Sequence, residues 1–263
     1  MQRMFEDERL RHKLAENNEL KRFRSTYSKS LKVINKNSSR FWDYKIVDDQ
    51  SRLLRSPIYR DKIQIIYKYL KNKEGKLLDI GFGPGHLEKK LSKKSKLTLF
   101  GLDISKIAVE NARNRLKGKY LVGNIYKLPY MPASFDFILA LDILEHLPPE
   151  KVFLAYKEIA KVLKDGGILV VSIPLNENLE QMMLKGRNPN AHLRVYTPLI
   201  LKTELKLSGF KIVSEKYLSA FRTKYKLKSL LVKLSPIKLK KPNLLILVLK
   251  KNENTLFDAQ GMA

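Results

Sequence analysis

Short apolar runs alternate with stretches of helical spacing along most of this chain. Ser56 and Pro57 suit the cap and first position of a helix whose inner face is Ile58, Ile63, Ile65, Ile66, Tyr69 and Leu70. Gly75 is expected to end it. An apolar run at 76–80 then predicts a buried strand, and a helix should begin over 86–91. A second strand follows at 97–101, then a helix carrying Ile107, Ala108, Ala112 and Leu116 that Ser105 can cap. Strands are expected at 119–122 and 134–141, a helix over 150–163, a tight turn at 164–167 and a buried strand at 168–173. A last helix opens at Thr197-Pro198 and stops at Gly209, before strands at 210–218 and 243–249. Such alternation of strands and helices predicts an α/β fold with a mostly parallel, doubly wound sheet.

Between the first strand and its helix lies Asp79-Ile80-Gly81-Phe82-Gly83-Pro84-Gly85. Its glycines let the main chain turn sharply and approach a ligand. The third glycine comes one residue too early for the dinucleotide fingerprint, and the charge of Asp79 would repel a phosphate. A carboxylate here suits a ligand with an ammonium group and no phosphate, and S-adenosylmethionine is such a ligand. Asp103 lies about twenty residues beyond the loop, at the end of the second strand, where an acid can bind a ribose diol. The loop resembles the D-x-G-x-G-x-G motif of the class I S-adenosylmethionine-dependent methyltransferases. Ser134-Phe135-Asp136-Phe137-Ile138, then Asp142-Ile143-Leu144-Glu145-His146-Leu147, then 163–174 resemble later motifs of that class, in the expected order. The resemblance implies a Rossmann-like seven-stranded sheet with helices on both faces and an antiparallel last strand. It also implies a cofactor site of Asp79, Gly81, Gly83, Gly85, Asp103, Ile104, Asn124, Ile125 and Leu141. Asn124 stands where the family usually has Asp, and its amide oxygen can still accept the adenine amino group.

Methyl transfer requires alignment of donor and acceptor, and a hydroxyl or phenol acceptor gains from a nearby base. His146, after the fourth strand, and His192, within Ala191-His192-Leu193-Arg194-Val195-Tyr196-Thr197, are the candidate catalytic residues. The latter stretch is similar to a segment of ubiquinone-biosynthesis-like O-methyltransferases. In those enzymes an acid-x-x-Glu-His string accompanies a divalent cation, so Asp142, Glu145 and His146 are candidate ligands, although no metal is predicted. Phe41-Trp42-Asp43-Tyr44 holds the single tryptophan and is expected to cover one side of the pocket.

Composition narrows the remaining choices. The 263 residues contain no cysteine, which excludes disulfides, thiolate metal sites and cysteine nucleophiles. The longest apolar run, 244–249, is too short to span a bilayer, and the expected location is cytoplasmic, with peripheral membrane attachment as a further option. Fifty-two basic against 26 acidic residues give a net charge of +26, which favours anionic partners or simply solvated lysine-rich faces. We divide the chain into a basic, helical or partly disordered extension at 1–40, a methyltransferase domain at 41–251 with a basic amphipathic insert at 219–242, and a disordered tail at 252–263. The leading expectation is a methyltransferase acting on a small-molecule or lipid-like acceptor, at oxygen, with an anionic membrane surface or RNA as candidate partners of the Lys/Arg-rich segments. An RNA methyltransferase and a non-catalytic S-adenosylmethionine-binding scaffold are the alternatives.

Overall fold

The computed structural model describes residues 35–175, 179–185, 187–188, 190–221, 225, 228 and 242–252. Most of the basic extension and of the basic insert, and all of the tail but Asn252, lie outside the described residues. Two helices come first, α1 (Ser39–Arg55) and α2 (Pro57–Leu70). The alternating core follows as β1 (Glu74–Ile80), α3 (His86–Lys94), β2 (Lys96–Asp103), α4 (Lys106–Arg115), β3 (Lys119–Val122) and β4 (Phe135–Leu141). After two short 3-10 turns come α5 (Val152–Val162), β5 (Leu163–Pro174), the short α6 (Leu179–Leu184), α7 (Pro198–Leu207), β6 (Phe210–Leu218) and β7 (Leu244–Lys251).

One seven-stranded sheet has the order β3-β2-β1-β4-β5-β7-β6. β7 runs antiparallel to both neighbours and the other pairs are parallel, as the sequence motifs lead one to expect. Strand alternation sends successive side chains to opposite faces, and both faces are covered. Leu77 and Leu99 pack with Ile63, Ile66 and Leu70 of α2 and with Leu87 and Leu91 of α3. Leu78, Ile138 and Leu169 pack instead with Tyr156 and Ile159 of α5 and with Leu201 and Leu205 of α7. The chain leaves β1 toward β2 and later returns to its other side at β4. Strand order therefore reverses between β1 and β4, and their carboxyl ends diverge into a crevice.

Three boundaries differ from expectation. Gly75 does not stop α2, which ends at Leu70; it lies within β1 at a φ of 120°. A side chain there would meet the Asp136 carboxylate at 2.5 Å, the same carboxylate that accepts the Lys76 N–H. The expected turn at 164–167 is an irregularity within β5, because Phe135 pairs with Leu163 while Phe137 pairs with Ile168. Finally, α1 is a full helix where only an aromatic cluster was anticipated. Ser38 caps it by accepting from the Phe41 N–H.

Candidate functional site

At the crevice lies a cavity of about 520 Å³. Asp79, Gly81, Gly83, Asp103, Ile104, Asn124, Ile125, Leu141, His146 and His192 all line it. Gly85 does not. It caps α3 from a left-handed conformation, and a β-carbon there would strike Leu116, so its work is to turn the chain.

The side of the cavity next to the glycine loop is built locally. Gly81 has a φ of 69°, and its amide donates to the Leu102 carbonyl at 2.6 Å, fastening the loop to β2. Asp103 ends β2 with its carboxylate accepting the Gly83 N–H and the Ser105 N–H, both at 2.9 Å. Burial raises its pKa, and those N–H groups oppose the rise. Asn124 accepts the Tyr126 N–H through the oxygen expected to face adenine, so that oxygen is already half engaged. The α1 helix is tied to the same side by Asp43, which accepts from the Ser105 hydroxyl at 2.6 Å and the Ile107 N–H at 3.2 Å.

The other side is assembled from three distant stretches. Asp142 follows β4 in a left-handed conformation with a φ of 55°, which aspartate adopts more readily than most non-glycine residues. Its carboxylate is held by the buried Lys62 ammonium of α2 and by the Ser172 hydroxyl. The Lys62 charge and both hydrogen bonds outweigh burial and lower its pKa. One 3-10 turn further, the His146 ring meets Trp42 of α1 edge to face at 4.8 Å and His192 at 4.7 Å between centroids. His192 Nε2 lies 4.0 Å from Glu145 Oε1, and the Glu145 carbonyl accepts the Leu193 and Arg194 N–H groups. Thus His192, rather than Asp142, joins Glu145 and His146. Their ligand atoms lie within 4.8 Å of one another, while Asp142 is committed to Lys62.

Burial, and then the neighbouring His192, push the His146 pKa down to about 3. Its Nδ1 lies 3.4 Å from the Ala191 carbonyl, which can only accept, so the tautomer with a proton on Nδ1 leaves Nε2 bare. Behind this wall is a buried network. Arg194 pairs with Glu204, and the Tyr156 and Tyr196 hydroxyls donate to the same carboxylate at 3.0 and 3.1 Å. The sequence reading missed Lys62, Asp43 and Glu88 of α3. Each is one charge among many in its stretch; the fold sets Lys62 and Glu88 apart by burial and Asp43 by its bonds to Ser105 and Ile107.

A doubly wound sheet with a glycine turn after β1, an acid ending β2 and a deep crevice at the β1/β4 reversal defines a Rossmann-like nucleoside-binding class. Residues 78–171 match the family described as a methyltransferase domain. The match takes in 94 of the 263 residues, from β1 to within β5, and is to a class I S-adenosylmethionine-dependent methyltransferase domain. It is 32% identical over 157 residues to the uncharacterized protein MJ0638 of Methanocaldococcus jannaschii, covering 58% of this chain and 63% of that one. It is 31% identical over 127 residues to the demethylmenaquinone methyltransferase of Thermotoga maritima, covering 48% and 54%. These matches span little more than half the length of either relative. A similar solved structure is the 1,6-didemethyltoxoflavin-N1-methyltransferase of Burkholderia thailandensis with bound S-adenosylhomocysteine. It has a TM-score of 0.59 and 15% identity, covering 82% of this chain and 87% of that one.

The family's cofactor is S-adenosylmethionine, and the residues present fit it. Asp79 Oδ1 is buried in the cavity wall without a hydrogen-bond donor among the described residues, and an ammonium group supplies the donors it lacks. No helix among the described residues is long and apolar enough to cross a membrane.

Proposed function

We propose that this protein transfers a methyl group from S-adenosylmethionine to an oxygen of a small-molecule or lipid-like acceptor, with His146 as the base and His192 as its partner. The observation that carries this reading is that one cavity contains both the cofactor loop and an imidazole pair walled by Trp42. Relatives that include a demethylmenaquinone methyltransferase support a lipid-like acceptor.

S-adenosylmethionine supplies an electrophilic methyl on a sulfonium. Asp79 would hold its ammonium, Asp103 its ribose diol, and Ile104, Asn124 and Ile125 its adenine. The chain's own task is then to position the acceptor and receive one proton. Trp42, His146 and His192 form an aromatic wall against which a flat or apolar acceptor packs. Bare Nε2 of His146 accepts the acceptor's hydroxyl proton. A base this weak takes the proton only as the oxygen commits its lone pair to the new bond and its proton becomes strongly acidic. The buried Glu145 carboxylate, beside His192, stabilises positive charge arriving on the imidazole pair.

Supplying labelled S-adenosylmethionine with demethylated quinols, simple phenols or bulk RNA, and following label into each, tests this reading. Label in a quinol or phenol, lost in His146→Gln while S-adenosylhomocysteine still binds, is the expected result. Label in RNA alone would replace the small-molecule reading, and cofactor binding without transfer to any acceptor would favour a scaffold.

A further inference from the structure

Two acids in the cavity wall remain unexplained as a pair. Asp79, the last but one residue of β1, is 2% exposed, and Glu88 lies in the first turn of α3 at 1%. Both line the cavity. Asp79 Oδ1 and both carboxylate oxygens of Glu88 lack a hydrogen-bond donor among the described residues. Asp103, the third acid of this wall, by contrast accepts one main-chain N–H at each carboxylate oxygen.

Among the described residues, no neighbouring element brings the pair a cation of its own. From α2, Lys62 contributes a distant field, but its ammonium is bound to Asp142. Tyr59 of α2 engages His86 of α3 at 3.0 Å, and burial lowers the His86 pKa, helped by Lys89. Tyr59 and Tyr120 of β3 stay neutral, because burial first and these same carboxylates second raise their pKa values. Burial and mutual repulsion likewise raise Asp79, and burial raises Glu88. Two buried carboxylates of one cavity wall, close enough for the Glu88 charge to raise Asp79, are strongly disfavoured as a doubly charged pair without a counter-ion, so they either share a proton or meet a cation.

We propose that Asp79 and Glu88 together form a two-carboxyl subsite for the α-ammonium of S-adenosylmethionine, holding one proton between them before the ligand binds and releasing it on binding. The proposal rests on the cofactor reading and adds Glu88, which the glycine motif does not include. The O–H bond of the shared proton breaks and the proton passes to the buffer. Three ammonium N–H groups then donate to the two carboxylates, so the subsite carries the same net charge before and after. An ammonium-free nucleoside gives no such exchange.

The test is calorimetric titration of the full chain with S-adenosylhomocysteine near pH 6, in buffers of different ionisation enthalpy. There the ligand's own amine, with an ordinary pKa of about 8, is fully protonated. The expected result is release of close to one proton per ligand bound, with affinity rising roughly tenfold per pH unit in that region. Methylthioadenosine, which lacks the amino-acid chain, should bind with no release. Glu88→Gln keeps the shape and can donate to Asp79; it should bind S-adenosylhomocysteine without proton release and with a flat pH profile. Wild-type binding with no release and a flat profile overturns the subsite while leaving the cofactor reading intact. Absence of any binding to folded wild-type protein overturns both. Should Glu88→Gln fail to fold, the wild-type buffer series and the methylthioadenosine control still decide.

Discussion

The two sides of the cavity are made in different ways. On the cofactor side, one continuous stretch from Asp79 to Glu88 supplies the strand end, the turn and the helix start, and Asp103 follows on the adjacent strand. On the side proposed for the acceptor, Trp42, His146 and His192 come from three separated segments and meet only in the tertiary structure. Local construction gives a ligand site that tolerates change elsewhere, whereas distributed construction makes acceptor chemistry depend on remote props. The sharpest way to separate the two sides is His146→Gln. If the division holds, turnover falls by roughly 10²–10⁴-fold while S-adenosylhomocysteine affinity stays within about twofold. Single-turnover rates beside calorimetry check this, and an equal loss of cofactor affinity would mean that the sides are not separable.

The props of the acceptor side give the next largest effect. Glu204 is 1% exposed and neutralises Arg194, which is equally buried. Glu204→Gln leaves that guanidinium uncompensated and should cost about 3 kcal/mol in chemical denaturation. Replacing both partners with apolar residues, Arg194→Met with Glu204→Leu, should recover most of that loss. The cofactor side should keep its affinity in the double variant if the network serves only the 191–196 segment.

How much of each side could be read in advance follows from the same difference. The glycine loop, Asp103, Ser105 and the strand at Lys119–Val122 announce themselves through residues adjacent in sequence. The acceptor side was legible only as two histidines in separate motifs, with nothing to say that their rings lie 4.7 Å apart. The α1 helix was missed because Trp42 and Ile46 face the cavity while Tyr44 and Val47 face solvent, which blurs its amphipathic stripe. Lys62 and Glu88 were invisible for another reason. In a chain with 52 basic residues, one more lysine on a helix looks solvated, and only the fold buries it. Gly75 misled because a glycine after a helix usually marks its end, whereas this one accommodates the Asp136 carboxylate.

One residue links the sides. A β-carbon at Gly81 would lie 2.6 Å from Cδ1 of Ile143, in the turn that carries His146, and the φ of 69° is unfavourable to any side chain. Gly81→Ala should therefore cost about 2 kcal/mol of stability by overpacking and strain. It should also weaken S-adenosylhomocysteine binding and slow turnover together. Loss of cofactor affinity with unchanged turnover at saturation would show that Ile143 yields without moving His146.

Per pH unit the effects of pH on stability are smaller still, and they should carry opposite signs on the two sides. His146 has a pKa near 3 when folded, against about 6.5 unfolded. Between these values the unfolded chain holds the extra proton, so the stabilising contribution is present above about pH 6.5 and is lost as pH falls toward 3. The slope is about 1.4 kcal/mol per pH unit within that window. Asp79 and Glu88 are raised, chiefly by burial, so their contribution is present below the ordinary carboxylate range and is lost as pH rises through the folded values. Thermal melts across pH should show that His146→Gln flattens the acid limb and leaves the alkaline limb alone. Glu88→Gln should stabilise the protein at pH 8 relative to wild type and do little at pH 4. If both variants changed the same limb, the two sides of the cavity would be titrating as one unit, and the division between local cofactor site and assembled acceptor site would fail.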